Sequence, residues 1–495
     1  IKDVTLANTS KFSIDINRKL PFSGSSMDTE LSKVYKNRFK TNRIDINNNT
    51  WSSKKLFLTN DPFNKPQAII ENNDFVVKIE DGKSYITTKW SRLILEEKIK
   101  VPLGGRNIAN EDLSGRWSVG YDKKNNDGLF INRKSKRFKI GENSNATIDF
   151  KKTLNIQRIY SGSTESFSQK NDSLFGTKIK QDANTLDYFG ISSRLKNKGK
   201  KWDLILDAEL NSLDLDKFGK IIKSNSILKR RLIESTNENQ DLTMFANYGT
   251  KTSNGSLGEI LVKSSYGVRY NIYRKKYFNR NTQKINISAG YGRYEALSQR
   301  ELNDLINKNR LNISIKQENL FALWKPKKED FITKENKFSP YIIPTGLYWL
   351  ANGNLDLFRY EDGKKQDLLE LKTGPKLVFG NFKRDFFDYT SFNIYPRIRF
   401  SEGESPFTFD QIVDKKVIEL NFTQQIYKAL ALSFSGNLNI EDNISEEDRF
   451  FNEKLLISWN RRAYNFSLYY NFDKENGGIN FNLFNFDFKG NGEEF

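Results

Sequence analysis

From about Trp117 onward the chain repeats one pattern, a strict two-residue alternation of apolar and polar side chains in segments of about ten. In the cleanest, Leu430, Leu432, Phe434, Gly436, Leu438 and Ile440 alternate with Ala431, Ser433, Ser435, Asn437 and Asn439. Successive strand side chains point to opposite faces, so this period belongs to a strand and not to a helix. Segments 202–210, 260–272, 285–291, 311–315, 392–400, 418–422 and 464–472 obey the same rule. Segment length narrows the choice further. A strand tilted across a bilayer uses about 9–11 residues, against a mode of about 5–6 in soluble proteins. The chain therefore reads as all-β, a large antiparallel transmembrane β-barrel with one face of each strand toward lipid and the other toward a hydrated lumen. The rule of even strand number puts it at about 20 strands, within roughly 18–26.

The connections are unequal. Segment 418–422 passes through a short bend at 424–428 straight into Leu430, whereas the next link, 441–453, is longer and acidic. Short turns at one end and long polar loops at the other are the layout of an outer-membrane barrel. The Ser-, Asn-, Asp- and Gly-rich stretch 161–185 reads as a long loop that fits inside the barrel. The closing strand alternates through Ile479, Phe481 and Leu483, then shifts phase to Phe484, Phe486 and Phe488, which reads as a bulge. Residues 1–115 have shorter strand-like pieces and more charge, and read as a separate periplasmic β module ahead of a barrel over 116–495.

Composition removes most chemistry. The chain has no His and no Cys, so it holds no Cys/His zinc site, no Ser-His or Cys-His nucleophile pair and no disulfide. An enzyme is disfavoured, and no cofactor is expected. Mean hydropathy is −0.68, and no run approaches the roughly 18 apolar residues of a membrane-spanning helix. The net charge is +19, but Lys and Arg are scattered among Asp, Glu and Asn along the whole length. Nucleic-acid binding concentrates basic residues on one face, so that partner is not expected. The chain opens at Ile1 with neither an initiator Met nor a signal-peptide core, which reads as a mature or trimmed segment.

The run Thr59-Asn60-Asp61-Pro62-Phe63-Asn64-Lys65-Pro66, with Trp51 before it, and the step Val101-Pro102-Leu103-Gly104-Gly105-Arg106 leading to Trp117-Ser118-Val119-Gly120-Tyr121, together resemble one family. That family is the outer-membrane lipopolysaccharide-assembly protein LptD, also called OstA, and the Asn-Asp-Pro step is similar to its cyanobacterial branch. The resemblance implies an open N-terminal β fold that receives lipopolysaccharide from periplasmic bridge proteins of similar fold. It also implies lateral release into outer-membrane lipid between the first and last barrel strands, a lumen-plugging lipoprotein, and delivery of the chain by the barrel-assembly machinery. Family members tie module to barrel with disulfides, which a chain without Cys cannot do.

Within that frame Phe75, Val77 and Ile79 are the candidate acyl-chain groove, unless they are ordinary packing in a closed sandwich. The candidate gate seam sets Trp117, Val119, Gly120 and Tyr121 against Phe484, Phe486 and Phe488. Opening it costs only a few backbone hydrogen bonds at about 1 kcal/mol net each, and Gly120 has no side chain to pack. A plain closed seam is the competing reading. Arg397 and Arg399 are expected in the lumen, where guanidinium groups suit phosphate or carboxylate, or simply solvate the wall. A passive porin or substrate-specific channel is the rival function, and a soluble structural β protein the rival class.

Overall fold

The structure is a computed structural model that describes residues 29–31, 38–47, 50–59, 61–80, 83–103, 106–109, 117–135, 138–141, 145–167, 178–278, 281–300, 304–326, 337–339, 343, 345–442 and 444–483. Eighteen antiparallel strands close a barrel, from Trp117–Asp122 to Asn476–Leu483, when Phe138–Lys139 is taken as the continuation of Gly128–Lys134 on the shared partner Ala146–Asn155. The number falls at the low end of the expected range. Thr29–Leu31 adds one parallel segment to the last strand, beside Phe481–Leu483. Among the described residues no helix is long and apolar enough to cross a membrane.

The alternation acts as expected. On Leu305–Trp324 the side chains of Leu311, Ile313 and Ile315 are exposed on the outer wall, and Leu369, Leu371, Ile398 and Phe400 continue that surface on neighbouring strands. At one end of the wall stand Trp202, Trp324, Trp349 and Trp459, all exposed, the arrangement of an interfacial aromatic girdle. This is the near end, where the first strand begins and the last strand finishes. It carries the short turns 199–201, 235–237, 428–429 and 461–463, together with a longer link, 325–345. The far end carries the long connections 156–188, 211–221, 404–415 and 440–449. One detail is corrected: 424–427 is not a bend but the last turn-ward part of strand Lys416–Tyr427. The outer pairing runs to Tyr427↔Leu430 across a register shift, leaving a two-residue turn.

The far-end loops fold inward. Thr408–Asp410, in link 404–415, reaches wall residues four to six strands away: Arg310 donates to Asp410 at 2.8 Å, and Asn254 donates to the carbonyls of Thr408 and Gln411 at 3.1 and 2.8 Å. Phe407 and Phe409 pack there with Val262, Ala296, Phe358 and Tyr360. The stretch 161–185 is more structured than a loop: Ser163–Thr164 pairs with Gln181–Asp182, behind a helical turn Ile156–Ser161. Arg158 of that turn is fully buried and saturated, donating to Asp127 Oδ2 (2.6 Å), to the carbonyls of Asp187, Asn211 and Asn125, and to Ser166 Oγ.

Ahead of the barrel, residues Arg38–Ala109 form a separate small sheet. Its eight segments lie as an antiparallel meander on the long strand Ala68–Glu80. Thr50–Thr59 pairs along one side of that strand. On the other side Lys83–Thr88 pairs its second half and Trp90–Leu95 its first half, either side of Lys89. The sheet is open at both edges, as the connection order ends on Arg38–Lys40 and Arg106–Ala109.

Candidate functional site

The small sheet is fastened to the near end of the barrel, at the tight turn 461–463 between strands Phe450–Asn460 and Tyr464–Asn471. Asp61, from the Asn-Asp-Pro step, accepts from Arg462 at 2.8 Å, and both side chains are buried. The same carboxylate is held by the backbone N–H groups of Phe63 and Gln67 at 3.2 and 3.1 Å, while Phe63 lies under the Arg462 guanidinium at 4.4 Å. Two bonds run in parallel from Arg461 to Glu96 at 2.6 and 2.7 Å, the forked geometry that suits Arg to a carboxylate. Gln67 donates to the Lys337 carbonyl and accepts from the Ala463 N–H. Between these polar ties sits an apolar cluster: Ala68, Leu93 and Leu95 of the sheet against Ala463 and Tyr464, with Phe481 of the last strand beside them. Ion pairs and a small core therefore join the sheet to the barrel.

That cluster borders the barrel seam. Closure of the first strand on the last rests on three residue pairs, Gly120↔Gly478, Tyr121↔Gly477 and Asp122↔Asn476. Three of these six residues are glycines. At the far end the seam is reinforced by Lys123, whose N–H donates to the Glu475 carbonyl (3.1 Å) and whose ammonium meets the Glu475 carboxylate (2.8 Å). Lys124 donates to the Asp473 carbonyl. Toward the near end the direct pairing of these two strands stops, and Thr29–Leu31 stands beside Phe481–Leu483 instead. Trp117, Ser118 and Val119 pair with Arg133, Asn132 and Ile131 of the second strand, and their other edge has no partner on the last strand. The buried Ser118 hydroxyl has no hydrogen-bond partner.

Of the expected seam residues, Gly120 and Tyr121 lie in the ladder with the last strand, while Trp117 and Val119 lie beyond it and pair only with the second strand among the described strands. Phe484, Phe486 and Phe488 lie outside the described residues. The strand partner is instead the Asn476-Gly477-Gly478 start of the last strand, a double glycine that sequence reasoning passed over. Gly477 has a packing reason of its own, since a Cβ there would meet Tyr469 O at 2.7 Å on the neighbouring strand.

Arg397 and Arg399 do project to the lumen, opposite the outward Ile398 and Phe400, and are already engaged. Arg399 donates to Glu370 (2.7 Å) and to the Val413 carbonyl of the inward loop (2.7 Å); Arg397 donates to Glu419 (3.2 Å), which Lys372 also meets at 3.0 Å. Of the groove residues, Phe75 is buried in the small sheet, 6% exposed, and Val77 is half-buried between Trp51 and Ile86 in the ladder. Ile79 pairs with Ser84 in backbone register, and its side chain lies outside what is described. Among the described residues no group of three His, Cys, Asp or Glu side chains is placed to hold a metal ion.

The family described as "Protein of unknown function (DUF3769)" matches residues 32–487, which takes in both the small sheet and the barrel. The chain belongs to that family. Two solved structures are similar to this DUF3769 protein. One is a loop L8 deletion mutant of OmpT, an outer membrane protein of Vibrio cholerae, at 8% identity and TM-score 0.27, covering 76% of this chain and 92% of that one. The other is in-vitro folded OmpT of Vibrio cholerae in its trimer form, also at 8% identity and TM-score 0.27, covering 80% of this chain and 95% of that one. No curated protein matches. The architecture itself, a closed barrel with an aromatic girdle and an apolar outer wall, makes this an outer-membrane-type β-barrel.

Proposed function

We propose that this DUF3769 protein is a lipopolysaccharide translocon of the LptD/OstA kind, seated in the outer membrane with its small sheet in the periplasm. It receives lipopolysaccharide-type glycolipid from periplasmic bridge proteins of similar β fold and releases it into the outer leaflet through the seam between the first and last barrel strands. No bond is made or broken, and the driving force comes from upstream. A lumen-plugging lipoprotein and the barrel-assembly machinery are its further partners in this reading.

One observation carries the proposal: among the described residues the first and last strands pair directly over only three residue pairs, at the far end, while at the near end Thr29–Leu31 takes the place beside the last strand, next to the docked sheet. A barrel built only for rigidity gains from a full ladder, since each backbone hydrogen bond contributes about 1 kcal/mol net. The porin reading fits less well, because the loops around Arg158 and Phe407 occupy the far mouth.

The test uses the absence of Cys. In Gly120→Cys/Gly478→Cys the only possible disulfide bridges the seam. Oxidised cells should stop displaying newly made lipopolysaccharide and accumulate it behind the outer membrane, with display restored by reductant. Continued display through a locked seam sinks lateral release. Normal lipopolysaccharide with altered small-solute uptake in cells depleted of the protein leaves the porin standing.

A further inference from the structure

The turn that closes the first barrel hairpin, Lys123–Asn126, sits where the seam ladder ends, yet it does not extend outward. Asn125 leans across the lumen to strand ends five and six places round the barrel. Its side-chain oxygen accepts from Lys223 Nζ at 2.8 Å and from Lys251 Nζ at 3.3 Å, and Asn211 donates to its carbonyl. Lys124, one residue before, carries a further ammonium to the Asp473 carbonyl, and Lys178 donates to the Lys124 carbonyl at 3.0 Å. Four ammonium groups from four separate stretches of chain thus converge on one turn at the far end of the seam.

Their hydrogen-bond partners are neutral oxygens, and Lys251 also faces a carboxylate, Glu259, at 3.9 Å. Two cations share the single amide oxygen of Asn125, and two rest on main-chain carbonyls. The nearby carboxylates are committed elsewhere. Asp122 caps the turn, accepting from the backbone and side-chain nitrogens of Asn125 at 2.9 and 2.8 Å. Glu259 is held by Lys474 at 2.9 Å and stands 3.9 Å from Lys251. Clustered like charges repel, more so where protein displaces water, and they are tolerated where an anion completes the group. Lysine ammonium groups act as mobile point charges, which suits them to a phosphate or carboxylate presented from varying angles.

We infer that Lys124, Lys178, Lys223 and Lys251 around Asn125 form an oxyanion site that holds the phosphate or carboxylate of an anionic headgroup at the far end of the seam. The inference deepens the translocon reading and rests on it for the identity of the ligand's source. In that reading, the site draws the headgroup up the lumen while the acyl chains leave through the near-end part of the seam, beside Thr29–Leu31. Arg397 and Arg399 are poorer candidates for the same task, because Glu370 and Glu419 already neutralise them.

The full-length chain, folded in detergent, would be titrated with inorganic phosphate by isothermal calorimetry. The same chain in nanodiscs of phosphatidylglycerol or of phosphatidylcholine would be compared for co-purifying lipid. Lys223→Gln/Lys251→Gln should weaken phosphate binding by about tenfold or more. Lys223→Arg/Lys251→Arg should retain it, and Lys275→Gln at the opposite end of the barrel should leave it unchanged. Enrichment of phosphatidylglycerol over phosphatidylcholine, lost in the double Gln variant, assigns the site to lipid headgroups; phosphate binding alone assigns it to soluble oxyanions. Binding of both probes that is the same in the double Gln variant overturns the inference. Heat-modifiable migration on gels shows whether each variant is folded, and Lys124→Gln repeats the test should the double variant fail. Since phosphate titration needs no seam opening, a negative result in the disulfide-lock experiment leaves this test intact.

Discussion

The Arg462 guanidinium stands 2.8 Å from the Asp61 carboxylate, with both side chains buried, and so joins a barrel turn to a step in the small sheet 401 residues earlier in the chain. Removing one member of such a pair strands the other charge in a dry interface, at about 3–5 kcal/mol. Arg462→Ala should therefore free the small sheet while leaving the barrel closed. Limited proteolysis would show it as new cleavage near residues 61–67 with unchanged heat-modifiable migration. The double variant Asp61→Asn/Arg462→Met should cost less than Arg462→Ala alone, because no charge is then left buried. The Glu96–Arg461 pair is partly exposed, at 31% and 17%. Glu96→Gln should cost no more than about 1 kcal/mol, and less in high salt.

The apolar part of the same joint has its own signature. Ala463 is fully buried against Ala68, Leu93 and Leu95. No room exists there for a larger side chain, and overpacking of this kind costs about 1–3 kcal/mol. Ala463→Leu should loosen the sheet as Arg462→Ala does, but without the salt response. Hydrogen exchange of 90–95 should rise in both variants.

The barrel was legible because its signal is local. Strands such as Leu430–Asn439 and Tyr464–Asn471 announce themselves within ten residues by alternation alone, and the lumen side of Arg397 and Arg399 follows from parity. The functional contacts are not local. Asp61 stood in a quoted motif, but nothing near it in the chain marks Arg462 as its partner; the only trace is a pair of arginines in a hairpin turn too short to need them. The double glycine at 477–478 was readable as a weak place in the closing strand, and alternation of Ile479 with Phe481 drew attention past it. The four lysines around Asn125 come from four segments, and only closure of the barrel brings them together. In 161–185 polar composition reads as a long loop, and it carries no sign of the short pairing Ser163–Thr164 with Gln181–Asp182 or of Arg158 just before it, which organises the far mouth through five acceptors.

That mouth should respond to acid. Burial pushes the Asp127 carboxyl up, but Arg158 beside it, with the Glu165 N–H and Thr164 hydroxyl, outweighs burial and holds it below the usual carboxylate range. A carboxyl depressed in the folded state stabilises above its unfolded value of about 3.9 and loses that contribution as pH falls through the folded value. Hydrogen exchange of 156–167 should be slow at neutral pH and accelerate below about pH 4. Asp127→Asn should exchange fast at neutral pH and lose the acid dependence. Arg158→Ala should do the same with a larger loss, about 3 kcal/mol or more, since it leaves the Asp127 carboxylate without its cation and takes a donor from each of three carbonyls.

The seam offers the sharpest contrast between holding and opening. Lys123 and Glu475 clip its far end through one backbone bond and one ion pair, the latter exposed on the lysine side at 60%. An exposed pair contributes at most about 1 kcal/mol, so Glu475→Gln alone should leave the barrel assembled. The three ladder pairs are another matter, because they are the direct pairing of the first strand on the last among the described residues, with Thr29–Leu31 beside the last strand toward the near end. Tyr121→Pro removes a backbone N–H and fixes φ at the centre of that ladder. It should leave the barrel folded but leaky, with raised uptake of large antibiotics through a seam that no longer shuts. Gly477→Val acts on the partner strand of the same ladder, where its Cβ would press on Tyr469 O, and should impair assembly itself. Leakage from Tyr121→Pro with normal abundance, beside reduced abundance for Gly477→Val, separates a gate from a weld. Equal loss of abundance in both would mean that the three pairs are structural and that the seam does not open.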